Sequence, residues 1–386
     1  MRILLTTIFN YPHEGGLSTH ITTLKQGLEE LGHHVDVLSG SEISNTRNFL
    51  AIRGPGYVLN KLSPGKGQLY SDDRRQLFIR NRLRQIGNGY DVINTQDIFA
   101  TLAARGHGIR VVQTIHGYYT YEAISRGAVQ EHSTYARKFK RYERYAYKSA
   151  DQIICVDQRL KGYIKTEVNR EANVIPNFIN TSKFDLSKSD IQSIRMKYEL
   201  PSEKHIILIP RRLTEKNGVI YPLYAIKQLI QDRQDFMLVY AGSGECLEQL
   251  QEYTHQNDLN QYVRFLGSVP HFDMIGLFEL SDLVIIPSIH TKGVEEATSI
   301  AALEAMASGT PVIASAIGGL KELIRHEENG LLFQEKDINE LTSLISTLIN
   351  NPNFKDRLSQ QGKKYIINHH SHIQAAHAFI KTYRSV

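Results

Sequence analysis

Glu296 and Glu304, with seven residues between them, are the first candidates for chemistry. They lie in Pro287-Ser-Ile-His-Thr-Lys-Gly-Val-Glu-Glu-Ala-Thr-Ser-Ile-Ala-Ala-Leu-Glu-Ala-Met-Ala-Ser-Gly-Thr-Pro-Val-Ile-Ala314. A carboxylate at the mouth of a crevice accepts hydrogen bonds from sugar hydroxyls. The stretch reads as a strand over 283–286 that ends at Pro287, a loop, and a helix opening near Thr298 or Ser299, both good N-caps. Gly309 suits the position just past that helix, and Pro311 starts the next strand. The N–H groups of Ser299, Ile300 and Ala301 would have no acceptor within the helix and would form a site for phosphate. The plain alternative is a capped helix carrying two solvated carboxylates.

A second group is Pro210-Arg-Arg-Leu-Thr-Glu-Lys-Asn-Gly218, directly after a strand over 205–209. A guanidinium can grip phosphate oxygens bidentately, and an ammonium acts as a point charge. Together they can neutralise a diphosphate leaving group, where negative charge grows in a transition state. His116 follows a strand over 111–115, and at such a strand end it can bond a substrate hydroxyl or move a proton. Gly15 and Gly16 follow the first strand and precede a helix over 19–31, so the backbone there can approach a phosphate or sugar closely. The spacing G-x-G-x-x-G is absent from this loop, which argues against a nicotinamide enzyme.

These residues need strand ends to hold them. Short apolar runs at 2–7, 34–38, 92–94, 111–115, 152–156 and 174–175 form one series, and 205–209, 236–241, 263–266, 283–286 and 311–314 a second. Helical patterns at 19–31, 219–231, 246–256 and 299–308 lie between them, so both series are βα units with parallel sheets. The expected fold is α/β, two doubly wound Rossmann-like domains facing each other across a cleft. Ligands of such sheets bind at the carboxyl ends of the strands. Pro176-Asn-Phe-Ile-Asn-Thr-Ser-Lys183 lacks periodicity and marks the boundary. The expected organisation is an N-terminal domain over 1–180, a C-terminal domain over 181–366, and a last helical segment over 367–386.

The signature around Glu296 and Glu304 resembles that of glycosyltransferase family 4. Other pieces follow in order: Tyr11-Pro-His-Glu-Gly-Gly16, Gly32-His-His-Val-Asp-Val37, Thr114-Ile-His-Gly117, Ile175-Pro-Asn177, Phe265-Leu-Gly267 and Ile317-Gly-Gly-Leu-Lys-Glu322. The resemblance covers nearly the whole chain and implies a retaining, nucleotide-sugar-dependent enzyme with the GT-B architecture. It implies that Glu296 holds hydroxyls of the transferred sugar, Glu304 the ribose hydroxyls, and His116 the donor sugar. The family's Arg-Leu is followed by a Lys just before Gly; here Asn217 fills that column and Lys216 stands one earlier. Arg212 and Lys216 are therefore expected at the diphosphate, with Arg211 as an alternative. Where the family has Gly-Phe-Gly after the first Glu, this chain has Ala297-Thr-Ser299, which changes the sugar pocket. Transfer in the family is pictured as front-face attack with the leaving phosphate oxygen taking the acceptor proton, so no side-chain base is obligatory. The donor-side residues are then Gly15, Gly16, Arg212, Lys216, Ser299, Ile300 and Glu304, with His116 and Glu296 at the reacting sugar. The last helix is expected to return to the first domain.

The 386 residues suit two domains, and 41% hydrophobic with 22% charged residues excludes disordered, collagen-like and coiled-coil chains. A net charge of +5 is too weak to argue for nucleic acid. Cys155 and Cys246 have no metal spacing and read as reduced thiols, so a cytoplasmic protein is expected. No metal or other cofactor is expected; the nucleotide sugar, of which a UDP-sugar is the commonest in the resembled family, is a substrate. Residues 47–84 read as a basic, turn-rich insertion. Residues 135–148 read as a basic helix with Tyr135, Phe139, Tyr142 and Ala146 on one face. Together the two segments carry fifteen basic and three acidic residues. They suggest an anionic or lipid-linked hydroxyl acceptor and peripheral contact with the inner face of a membrane, through Arg137, Lys138, Lys140 and Arg141. The plain alternative is a core-facing stripe with solvated charges. The competing functions are a GT-B epimerase or phosphorylase and a non-enzymatic sugar-nucleotide-binding subunit.

Overall fold

A computed structural model describes residues 1–13, 15–291 and 298–385. The chain forms two units, Met1–Asn177 with His372–Val386, and Phe178–Ser371.

The first unit is built on six strands, β1 (Arg2–Thr6), β2 (His34–Leu38), β3 (Val92–Thr95), β4 (Arg110–Ile115), β5 (Gln152–Cys155) and β6 (Asn173–Val174). They pair in parallel in the order β2-β1-β3-β4-β5-β6. Ile3 and Leu5 are fully buried and Leu4 nearly so, as a parallel strand covered on both faces requires. One apolar layer joins Leu4, Ile93, Val111 and Ile153 to Phe99, Phe139, Ala146 and Tyr147 of the covering helices. The last helix, His372–Arg384, packs on helix Gly16–Glu30. The two approach so closely that a Cβ on Gly27 would stand 2.6 Å from the His372 carbonyl oxygen.

The second unit has β7 (His205–Ile209), β8 (Phe236–Ala241), β9 (Val263–Gly267), β10 (Leu283–Ile286), β11 (Val312–Ser315) and β12 (Leu331–Phe333). These are also parallel, in the order β12-β11-β10-β7-β8-β9. Successive side chains of a strand point to opposite faces. Ile206, Leu208, Val284 and Ile286 accordingly enter one apolar layer, and Ile207, Ile209, Leu283 and Ile285 the other. The α/β class with two doubly wound parallel sheets thus stands. Strand β12 was absent from the expected set.

Residues 47–84 correct the sequence reading. They are helical rather than turn-rich: Asn45–Asn48, a π-helical turn Phe49–Arg53, helix Gly54–Leu62 and helix Lys66–Ile86 follow one another. Pro55 occupies the first turn of its helix, where a missing N–H costs nothing. The apolar face of helix Thr134–Ser149 also takes the plainer reading. Ala136, Phe139, Ala146 and Tyr147 are buried, and Tyr135 and Tyr142 pack against the same core. That face is unavailable to a membrane.

Each sheet has one place where chain order reverses, between β1 and β3 in the first unit and between β7 and β10 in the second. Loops leaving neighbouring strands there turn to opposite faces and open a crevice.

Candidate functional site

In the second unit, β7 ends at Ile209 and the next residues make a compact loop. Leu213 N–H donates to the Ser243 carbonyl at 2.9 Å, and Cys246 N–H to the Leu213 carbonyl at 2.9 Å. The loop ends at Gly218, whose φ of +62° is left-handed, and a Cβ there would stand 2.9 Å from the Pro287 carbonyl carbon. Only glycine lets the loop after β7 lie this close to the loop after β10. Ile289 N–H donates to the Lys216 carbonyl at 3.0 Å, joining the two loops.

The guanidinium of Arg211 lies where these loops meet. Its Nη1 donates to Ser299 Oγ at 3.0 Å, and its Nη2 to Asn217 Oδ1 at 2.7 Å and Ser288 Oγ at 3.1 Å. Ser288 and Ser299 are 1% exposed and Asn217 4%, so the fork is held by side chains that are themselves fixed. Ser299 is the N-cap of helix Ile300–Ala307, yet its hydroxyl accepts from Arg211 instead of capping. The first N–H groups of that helix have no intrahelical acceptor and carry the positive end of its dipole. Arg211, two serine hydroxyls and this helix start lie together, a combination with the chemistry to receive an anion.

Arg212 and Lys216 differ from Arg211 in placement. Both side chains are exposed. The column where the family carries lysine is filled by the buried Asn217, which braces Arg211 through Oδ1 and donates from Nδ2 to the Arg212 carbonyl at 2.7 Å. Ser299 and Ile300 stand at the helix start, and Glu304 is in its second turn. Glu304 Oε1 lies 3.0 Å from His271 Nε2. This bond holds the His271 pKa above its ordinary value, against some desolvation. Glu296 falls outside the described residues.

In the first unit, Asp97 follows β3 and caps helix Ile98–Ala104. Its Oδ1 accepts from Ala100 N–H at 2.8 Å, and its Oδ2 from Thr7 Oγ1 at 2.8 Å and Ile8 N–H at 2.9 Å. The loop after β1 is thereby tied to the loop after β3. The loop after β1 leads to Gly15, the N-cap of helix Gly16–Glu30, with a φ of +145°. His116 follows β4. Its Nε2 lies 2.9 Å from Gln96 Oε1, and Gln96 Nε2 donates to Asn94 Oδ1 at 2.6 Å. Since Gln96 offers an oxygen, His116 carries its proton on Nε2 and keeps Nδ1 as an acceptor. The His116 ring meets that of His20 edge to face at 4.5 Å, so helix Gly16–Glu30 and the end of β4 line one crevice. Desolvation lowers the His116 pKa to about 4, and burial with the neighbouring His116 also lowers that of His20. Both imidazoles are neutral near neutral pH.

The basic helix is divided in its use. Lys140 is paired with Glu167 at 2.9 Å and donates to the Tyr163 hydroxyl at 2.5 Å. Arg141 lines a groove with Arg80, Arg105, Tyr142 and Tyr145, while Arg137 and Lys138 are exposed. Arg211 was legible only as an alternative, and Ser288, His271 and Gln96 were missed. Gln96 follows directly on strand β3 and Ser288 stands two residues beyond the end of β10, so the strand-end rule could have found them. Among the described residues no helix is long and apolar enough to cross a membrane.

The sequence matches two families along its length. Residues 14–183 match Glycosyltransferase Family 4, and residues 190–365 match Glycosyl transferases group 1. An uncharacterised glycosyltransferase of Methanocaldococcus jannaschii is 27% identical over 100% of this chain and 98% of the relative. A UDP-Gal:alpha-D-GlcNAc-diphosphoundecaprenol alpha-1,3-galactosyltransferase of Escherichia coli is 26% identical over 81% of this chain and 84% of its own length. Among solved structures, Anabaena HepE in complex with UDP-glucose superposes with a TM-score of 0.71 at 18% identity, covering all of both chains.

Proposed function

From a chain that belongs to glycosyltransferase family 4 and has the GT-B fold, we propose a retaining transfer of a hexose from a UDP-sugar to the hydroxyl of an anionic or lipid-linked acceptor. The observation that carries the donor side is the bracing of Arg211 by Ser288, Ser299 and Asn217 beside the start of helix Ile300–Ala307. The site lies at the reversal point of the second sheet, where a diphosphate would find a guanidinium fork, two hydroxyls and helix N–H groups. Glu304 takes the ribose hydroxyls and Glu296 those of the transferred sugar. His116 offers a neutral imidazole to the sugar.

In the reaction, the bond between the anomeric carbon and the diphosphate oxygen breaks, and a bond to the acceptor oxygen forms on the same face. The acceptor proton passes to the departing phosphate oxygen, so no side chain need act as base. Arg211 and the helix start stabilise the charge that grows on the diphosphate. No resident metal is invoked. The E. coli relative named for a diphosphoundecaprenol-linked substrate supports the acceptor class, and the UDP-glucose complex of HepE supports the nucleotide.

A thermal-shift screen of UDP-, GDP- and ADP-sugars tests the donor. The cognate nucleotide at about a hundred times its dissociation constant should add about 2.7 kcal/mol of stability. Product made from the cognate donor should keep the donor's anomeric configuration by NMR. Inversion, or epimerised donor released without acceptor, would overturn the reading.

A further inference from the structure

Five of the large apolar side chains that stand exposed on this protein fall within fourteen consecutive residues: Phe49 (64% exposed), Leu50 (66%), Tyr57 (64%), Val58 (57%) and Leu62 (74%). All belong to the π-helical turn Phe49–Arg53 and helix Gly54–Leu62. On that helix, positions 57, 58, 61 and 62 form one continuous stripe, because residues three and four apart are neighbours on a helix surface. The helix is seated by its other side. Gly56 and Gly67 face each other with no room for a side chain, so helix Gly54–Leu62 lies directly on helix Lys66–Ile86. Asn60 Oδ1 accepts from Gly65 N–H at 2.8 Å and fixes the turn between them. The exposed stripe is therefore held outward by packing.

Charge selects what can cover it. From residue 47 to residue 66 there are four basic residues, Arg47, Arg53, Lys61 and Lys66, and no acidic one. All four are exposed. The Lys61 ammonium sits 4.8 Å from the centre of the Tyr57 ring, so cation and aromatic ring present themselves together. Large apolar side chains ringed by lysine and arginine match an anionic bilayer, in which the apolar groups enter the boundary of the acyl region and the cations stay among the head groups.

We propose that residues 49–62, with Arg47, Arg53, Lys61 and Lys66 around them, are a docking surface for an anionic lipid bilayer. The surface is separate from the basic helix Thr134–Ser149, whose apolar face is core. The proposal goes beyond the transfer reaction and depends on neither the donor nor the acceptor.

The chain contains no tryptophan, so Leu62→Trp creates a single fluorescent reporter in the stripe. Met196→Trp, at an exposed position of the second unit, is the control (69% exposed). The probes are vesicles of phosphatidylcholine alone and vesicles with about one-third phosphatidylglycerol. Emission from Leu62→Trp should shift to the blue with the anionic vesicles at low salt, revert as salt rises, and stay unchanged for Met196→Trp. In co-sedimentation, Leu50→Ser/Val58→Ser/Leu62→Ser should lower partitioning by roughly tenfold, and Arg53→Glu/Lys61→Glu should abolish the preference for anionic lipid. These side chains are exposed, and circular dichroism with thermal unfolding verifies that each variant folds. The proposal is overturned if the wild type ignores anionic vesicles at low salt, or if the folded triple-serine variant binds them equally. It is also overturned if sedimentation shows a dimer that the triple-serine variant loses, because the stripe then belongs to a second copy of the chain.

Discussion

Asn217 holds the guanidinium of Arg211: its Oδ1 accepts from Nη2 at 2.7 Å while its Nδ2 is anchored on the Arg212 carbonyl. The residue in the family's lysine column here serves a neighbour's cation instead of supplying one. Arg211→Ala is expected to lower kcat at least tenfold, about 1.4 kcal/mol of transition-state stabilisation. Arg212→Ala and Lys216→Ala should each cost less, since their side chains are exposed. Asn217→Ala should fall between, and Arg211→Lys should recover part of the rate. Steady-state kinetics on these five variants decide it, and a larger loss from Lys216→Ala than from Arg211→Ala would move the cation to Lys216.

Glu304 and His271 make a prediction about pH. The Glu304 bond raises the His271 pKa, so the pair's stabilisation is fully present below the ordinary histidine value and is lost as pH rises through the raised one. Wild type should exceed His271→Gln in unfolding midpoint more clearly at about pH 6 than at about pH 8. Equal differences at both would show that the pair is uncharged throughout.

Glu304 and Glu296 are expected to divide the ligand between them. Glu304→Ala should raise the dissociation constant of the free nucleoside diphosphate, since the ribose is common to donor and product. Glu296→Ala should leave that constant nearly unchanged and lower transfer. Isothermal titration with the diphosphate separates the two, and matched losses would refute the division.

His116 behaves oppositely to His271. Its folded pKa of about 4 lies below the unfolded value, so its contribution is present above about pH 6.5 and is lost as pH falls towards 4. Between about pH 7 and pH 5 the unfolding midpoint of the wild type should fall further than that of His116→Asn. Parallel falls would mean the imidazole is well solvated. The kcat/KM profile should show no ionisation from this group near neutral pH.

Gly218→Ala should destabilise the second unit by roughly 1–3 kcal/mol, from the left-handed backbone and the approach to the Pro287 carbonyl. Donor affinity should fall with it, because the same contact sets the loops that carry Arg211 and Ser288. Denaturant unfolding together with nucleotide titration measures both effects, and an unchanged midpoint would remove the strain argument.

Strands β7, β8 and β10 were legible to the residue, because both faces are buried and Pro210, Gly242 and Pro287 stop their apolar runs. Strand β12 is three residues long, too short for any periodicity to declare it. The glycines and prolines near residue 55 read as turns because composition does not reveal that Gly56 and Gly67 are a helix contact. Adjacent arginines pose another limit. Arg211 and Arg212 are equivalent in type, and which one turns inward depends on how Ser243 and Asn217 fold the loop backbone. The fork's partners Ser288, Ser299 and Asn217 are ordinary polar residues until the sheet brings β7 beside β10.

The first unit is interrupted: its last helix, His372–Arg384, is separated from Asn177 by the whole of Phe178–Ser371. Closing so long a loop to seat His372 against Gly27 costs an unfolded chain about 3 kcal/mol more than closing one of a few residues. Within the second unit, however, Ile179 N–H donates to the His370 carbonyl at 3.0 Å, so entry and exit strands run side by side. Once that unit has folded, the effective loop shrinks to a few residues and docking of the helix becomes nearly local. Formation of the second unit should therefore speed completion of the first. Lesions in its core should appear as slow or incomplete docking of a helix that belongs to the other unit.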